Sequence, residues 1–315
     1  MKESDRYIIR DYRTGDEQAI TTLFNKVFGK EISIGQWTWK YSIPGHGKIY
    51  SKIVEDLSGF IIGHAGAIPL RGIFRNRPFQ FFQTADVMVH PDARGFLGRK
   101  NVFDVLMKSL FEDIRKAFPE VFCYGFPGKR PYLLGERVAV YERIEQATEC
   151  VRHLRFSLPN LFRASLIDWD DSRSDDLWTR LSAEFPLSLI RDTTFLHARY
   201  ASNPFFSYQL IGFFLFRKLT GWAVIRDSGN DVLVIDFLTE RKKCMSSLKA
   251  LERYLYSSGK RTVRLWLPEV WRKNLKGYRM KESEAVITNM VWKLPVKTSV
   301  ARENLYYTMG DADIF

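Results

Sequence analysis

Cysteine is scarce in this 315-residue chain, and Cys123, Cys150 and Cys244 form an odd, scattered set without a CxxC pair. Neither a disulfide framework nor a cysteine-based zinc site is implied, and a reducing cytoplasm suits such a chain. No run reaches the roughly 20 consecutive apolar residues that a membrane helix requires, and the polar start MKESDRY does not read as a signal peptide. The serine-hydrolase elbow, the Walker loop, HExxH and the dinucleotide GxGxxG are also missing, so those reactions have no sequence support. Acidic residues are outnumbered, 36 against 48 Lys and Arg, which leaves a formal net charge of +12. That excess favours an anionic partner and leaves open a phosphorylated cofactor, a nucleotide-linked substrate, nucleic acid or an anionic membrane surface.

What is present is core material: 45% of the residues are hydrophobic and 15% aromatic, enough for two ordinary domains. The chain is organised around residues 81–118. Residues 81–89 read as a buried strand, with Thr84, Asp86 and Met88 on one face and Ala85, Val87 and Val89 on the other. His90-Pro91-Asp92 ends it. From Phe103 the apolar residues Leu106, Met107, Leu110, Phe111 and Ile114 recur at helical spacing, so a helix is expected to start near Arg99, just after Arg94-Gly95 and Gly98. The first amides of a helix have no partner inside it and carry the positive end of its dipole. A glycine beside them lets a phosphate approach the backbone, and Arg94, Arg99 and Lys100 add full charges. A glycine turn with solvated cations is the plainer reading of the same spacing.

His90-Pro91-Asp92, Arg94-Gly95 and Arg99-Lys100-Asn101-Val102-Phe103 resemble the acyl-CoA-binding motif of the GNAT superfamily of N-acetyltransferases. Asn101 stands where that motif has its last glycine, and Phe96-Leu97-Gly98 resembles an insertion. The resemblance implies that Arg94, Gly95, Gly98, Arg99, Lys100, Asn101 and Val102 bind the pyrophosphate. It also implies that the backbone near Met88 and Val89 holds the thioester carbonyl and that a splayed strand pair admits pantetheine. The segment FCYGFPGKRPYLLGERVAVYERI is similar to the one whose tyrosine protonates the departing thiolate in many of these enzymes, and Tyr132 is the match. A phenol suits that role because it stays protonated near neutral pH. Asp86, two residues before Met88, is the first choice for a base, directly or through water, with a structural hydrogen-bonding role as the alternative. His64, His90, Asp311, Asp313 and the Phe315 carboxylate are weaker candidates.

Along the chain, Tyr7–Arg13 reads as a strand and Thr14-Gly15-Asp16-Glu17 as a capping box formed by Thr14 and Glu17. Beyond Glu145 the pattern repeats. Phe195-Leu196-His197-Ala198-Arg199-Tyr200 before Pro204 echoes Gln36-Trp37-Thr38-Trp39-Lys40-Tyr41 before Pro44, and three strands and a helix follow. The second half has no glycine in DFLTERKKCMSSL to admit a pyrophosphate. The expected architecture is therefore α/β (α+β): two GNAT-like units, each a mixed, mostly antiparallel sheet flanked by helices. Residues 1–150 would bind acyl-CoA, and 151–315 would be a degenerate copy without a phosphate loop that shapes the acceptor cleft. Tandem GNAT proteins of surface-polysaccharide synthesis and of the enhanced-intracellular-survival type show that pattern. The implied activity is N-acyl transfer, N-acetyl transfer first, from an acyl-CoA co-substrate to a primary amine such as an amino sugar, in the cytoplasm. The alternatives are a FemABX-like aminoacyl transferase, the one reading that would bring in nucleic acid as charged transfer RNA, and a non-catalytic scaffold.

Overall fold

The stretch that organises the sequence folds as a strand, a short turn and a helix, with boundaries that differ from the expected ones. The computed structural model describes residues 7–42, 47–94, 101–158 and 161–312. Its elements begin with β1 Tyr7–Asp11, α1 Glu17–Phe28, α2 Ile34–Tyr41, β2 Tyr50–Asp56, β3 Ile61–Phe74, β4 Arg77–Val89, α3 Val102–Ala117, β5 Val121–Gly125, α4 Lys129–Arg137 and β6 Tyr141–His153. They continue with β7 Phe162–Leu166, α5 Arg173–Leu181, β8 Leu187–Leu189, α6 Thr193–Leu196, β9 Gln209–Leu215, β10 Lys218–Ser228, β11 Asp231–Thr239 and α7 Cys244–Ser257. The last are β12 Thr262–Trp266, α8 Glu269–Arg272, β13 Arg279–Met290 and α9 Thr298–Asn304. The chain divides into two units, one of residues up to Arg71 with Phe79–Glu145 and Val286–Ser299, the other of Gly72–Pro78, Gln146–Ala285 and Val300 onward.

In the first unit the strand order is β1-β2-β3-β4-β5-β13. The pairs β1–β2, β2–β3 and β5–β13 are antiparallel, while β4 and β5 run parallel from Gln80↔Val121 to Gln83↔Tyr124. One face carries α3, whose Phe103, Leu106, Met107, Leu110, Phe111 and Ile114 are all buried against Val54, Ala65, Ala67, Phe82 and Cys123. Each such side chain contributes about 1.5–3 kcal/mol when fully buried, so this face is what docks the helix. Gly63 on β3 lets it come close, since a Cβ there would lie 3.0 Å from both Val102 and Leu106.

Three local expectations change. α3 starts at Val102 rather than near Arg99, because the Asn101 side chain accepts the Asp104 amide at 2.7 Å and caps the helix there. Strict alternation fails on β4. Thr84 lies beside Gly125 and Met290 on the α3 side, whereas Asp86 turns to the α2 side, because Asp86 takes a left-handed φ of 50°. The capping box at Thr14 does not form. Asp16 is the N-cap of α1 with no side-chain cap bond, and its carboxylate instead holds the Arg10 guanidinium at 2.7 Å.

The second unit has the strand order β6-β12-β11-β10-β9-β7, with β8 paired to Gly72–Phe74. Apart from the additional β8, the order of elements along the chain repeats. β7, α5, α6 with a π-helical turn at His197–Ala201, β9, β10, β11, α7, β12, α8 and β13 follow the order β1, α1, α2, β2, β3, β4, α3, β5, α4 and β6. Here too one pair is parallel, β11 with β12, from Asp231↔Thr262 to Val234↔Leu265. The architecture is thus mixed α/β with a mostly antiparallel sheet flanked by helices.

Gly63→Ala should cost about 1–3 kcal/mol, because the added methyl must push α3 off the sheet. In urea unfolding this appears as a lower midpoint at an unchanged m-value; an unchanged midpoint would contradict the close packing of α3 on β3.

Candidate functional site

β4 outruns its partner. Its pairing with β5 stops at Gln83↔Tyr124, β5 ends at Gly125, and β4 continues to Val89. The ladder between the two parallel strands therefore ends in a fork at their carboxyl ends, on the side where β4 leads into the β4–α3 connection. Parallel strands normally keep evenly spaced bonds, so a fork needs a cause. Between the last β5 pair and the end of β4 stands Asp86, whose left-handed φ of 50° breaks the regular strand in the manner of a bulge.

The bulge is held from both ends of the residue that makes it. The Asp86 carboxylate accepts from Lys40 Nζ at 2.8 Å on one oxygen and from the Tyr41 hydroxyl at 3.0 Å on the other. Its side chain is only 3% exposed. Its carbonyl accepts from His64 Nδ1 at 2.6 Å, which places the ring proton on Nδ1 and leaves Nε2 to accept from Ser51 Oγ at 2.9 Å. His64 is fully buried, and loss of solvation holds its imidazole below the ordinary histidine range, so it is neutral. Tyr41 reaches Asp86 across Gly66, where a Cβ would lie 2.2 Å from the hydroxyl. Lys40, Tyr41, His64 and Ser51 were not legible as one cluster. The only hint was the basic-tyrosine pair that recurs as Arg199-Tyr200.

The other expected site residues fall as follows. Met88 is buried on β4 beyond the bulge, and the Val89 carbonyl accepts from Arg94 Nε at 3.1 Å. Arg94 is exposed and closes the 3-10 turn Pro91–Ala93, which His90 caps. Gly95, Gly98, Arg99 and Lys100 lie outside the described residues, as do Asp313 and Phe315. Asn101 has an extended φ of −77°, so its backbone does not require the glycine of the resembled motif. Val102 is the first residue of α3, and its amide and that of Phe103 sit at the helix entrance, unable to bond within the helix. Tyr132 packs in the core under α3, and its hydroxyl donates to Glu136 on the same helix. Burial first, and that bond second, push the phenol up to about 12. Asp311 is buried in the second unit, where Arg191 Nη2 meets it at 2.5 Å, so it is not a free base. Desolvation raises its carboxyl above the ordinary range.

The second unit repeats the fork without the loop. β11 continues past Val234, and its register with β10 slips between Val224↔Asp236 and Ile225↔Val234, a bulge at Ile235-Asp236. Asp236 accepts from Arg191 Nε at 3.0 Å, Tyr200 hydroxyl at 2.8 Å and Thr308 hydroxyl at 3.0 Å. Its 3-10 turn, Arg241–Lys243, runs straight into α7 at Cys244, leaving no connecting residues where the first unit has 94–101. Arg241 donates its amide to Glu184, and Lys243 pairs with Glu240.

Because His64 binds a proton more weakly in the folded state than in the unfolded chain, its contribution to stability is complete above about pH 6.5 and is lost as pH falls below that. Urea unfolding between pH 7.5 and 5 should show that loss, with a slope of up to about 1.4 kcal/mol per pH unit. His64→Gln should flatten it; an identical slope in the variant would refute a neutral, buried His64.

Comparison with known proteins bears on this geometry. No curated protein matches the sequence. A conserved Enterococcus faecalis protein of unknown function, described as a probable N-acyltransferase, superposes with a TM-score of 0.68 at 13% identity, covering 90% of this chain and 73% of its own. A GCN5-related N-acetyltransferase from Anabaena variabilis gives 0.68 at 10% identity, covering 91% and 73%. The N-myristoyltransferase of Saccharomyces cerevisiae, solved with bound myristoyl-CoA and inhibitors, gives 0.58 at 10% identity, covering 90% and 79%. At these identities the shared property is the fold, and the fold is GNAT-like. Residues 8–143, which contain the fork, the bulge and the entrance to α3, match the family model of the Acetyltransferase (GNAT) domain.

Proposed function

We propose that the protein is an acyl-CoA-dependent N-acyltransferase, acetyl-CoA being the first candidate donor and a primary amine such as an amino sugar the acceptor. The observation that carries this reading is the fork between β4 and β5, opening toward the entrance of α3 within the stretch that matches the GNAT domain. Arg94 and the amides of Val102 and Phe103 stand where a diphosphate gains both charge and donors. Gly95, Gly98, Arg99 and Lys100 belong to the same loop by sequence. The net charge of +12 favours the approach of a polyanionic co-substrate.

When bound, acyl-CoA supplies an activated acyl thioester; the residues of the chain orient it and manage protons. The backbone at Met88 and Val89, freed from pairing with β5, offers its amides to the thioester carbonyl. Tyr132 gives its proton to the leaving sulfur. Its hydroxyl, held protonated at neutral pH, must turn from Glu136 to do so. We take the second unit as a degenerate copy of the first, supported by the matching order of elements and by the missing connection before α7, and we assign it no cofactor. The cytoplasm, where acyl-CoA is available, is the proposed compartment.

Titration calorimetry with acetyl-CoA tests the reading, since a folded protein that binds no acyl-CoA would exclude it. Arg94→Ala combined with Gly98→Asp should weaken binding by about tenfold or more, through loss of a cation and addition of a negative charge at the phosphate site. Tyr132→Phe should lower kcat by about 10²-fold or more while leaving the Kd for acyl-CoA within about threefold. Equal losses in Kd and kcat would remove Tyr132 from the chemistry.

A further inference from the structure

Asp86 is the nearest carboxylate in sequence to the strand residues expected to hold the thioester, yet neither of its oxygens is available. One faces Lys40 and the other Tyr41, in a site that solvent does not reach. A general base needs a lone pair directed at the acceptor amine or at a water that touches it. The backbone of the same residue is the unusual feature. Aspartate tolerates a left-handed conformation better than most residues, but the conformation persists only where the surroundings enforce it.

The second unit supplies an internal comparison. Asp236 also sits at a bulge on the strand that outruns its parallel partner, at the same distance before its 3-10 turn as Asp86 is before Pro91. Its carboxylate is also engaged by a buried cation, Arg191, and by a tyrosine hydroxyl, Tyr200. Tyr200 stands in the π-helical turn that follows α6, the counterpart of α2. The connection that would hold a phosphate is absent there. An acid kept at this position in a unit without that loop serves something other than transfer chemistry.

We infer that Asp86 is a positioning residue. Lys40 and Tyr41 grip its carboxylate and His64 its carbonyl, and together they fix the left-handed turn of β4 from which the unpaired backbone at Met88 and Val89 emerges. The consequence for turnover rests on the acyltransferase reading; the clamp itself does not. Charge in this clamp is secondary to hydrogen bonding, so a neutral pair of similar shape retains much of its effect, whereas changing one partner alone mismatches the pair.

A double-mutant cycle separates a clamp from a base. Asp86→Asn alone removes the carboxylate that Lys40 and Tyr41 hold and should lower kcat by about a hundredfold, while the Kd for acyl-CoA changes less than about threefold. Adding Lys40→Gln should restore at least about tenfold of that loss, with the acid limb of the pH–rate profile where it was, because Asn keeps the left-handed backbone and meets Gln as a neutral partner. A folded, acyl-CoA-binding double variant as inactive as the single one would overturn the inference. If the double variant does not fold, Tyr41→Phe decides. It leaves the ion pair in place and should accelerate amide hydrogen exchange at His90, whose amide bonds the Ile62 carbonyl just beyond the clamp, by about tenfold relative to Phe81 and Phe82, the loss expected for one hydrogen bond. Unchanged exchange there would refute the clamp. The exchange readout stands even if the wild-type protein binds no acyl-CoA, so the clamp and the proposed activity can fail separately.

Discussion

The separation of β4 from β5 is the constraint from which the rest of the first unit follows. Parallel strands that stay paired offer no room between them and no spare backbone donors. Here the ladder stops at Gln83↔Tyr124, and an aspartate in a left-handed conformation turns the strand beyond it. That irregularity stands where β4 runs on without β5, and it is bonded by Lys40, Tyr41 and His64, with Ser51 behind His64. The apolar face of α3 completes the arrangement, because the dense packing of Leu106, Phe111 and Ile114 fixes where the helix begins relative to the fork.

The two units show what this framework does without a loop. Both have a strand that outruns its parallel neighbour, a bulge with a buried aspartate and a 3-10 turn. They differ in the connection to the following helix, which spans 94–101 in the first and is absent in the second. The polar cluster around Asp236 is larger, with Arg191 bridging to Asp311, and is closed off from solvent. A fully satisfied buried network of this kind rigidifies the strand it holds. The shared framework is therefore structural, and what sets the first unit apart is its connection to the following helix.

Much of the fold was legible because it rests on periodicity. The apolar face of α3 follows from helical spacing, and the repeated order was visible in Lys40-Tyr41 and Arg199-Tyr200. Boundaries set by side chains were not. Asn101 stops α3 from extending to Arg99 through one hydrogen bond, and Arg10 draws Asp16 into an ion pair that strand and turn propensities do not register. The bulge defeated alternation, which assumes two residues per repeat and cannot signal an extra one. At the candidate site, the strand carrying Asp86 and Met88 was readable from its pattern, but the partners of Asp86 come from α2 and β3, distant in sequence. The echo of Lys40-Tyr41 in Arg199-Tyr200 also does not extend to the cation that meets the aspartate. Arg191 pairs with Asp236, while Arg199 donates to the carbonyls of Gly310 and Ala312.

A crystal structure of the protein with CoA bound bears most directly on the central claim. The fork account predicts the diphosphate beside Arg94 and the first amides of α3, with the pantetheine arm lying between β4 and β5 and the sulfur near Met88. A nucleotide seated elsewhere, or a thiol that does not enter the fork, would contradict it.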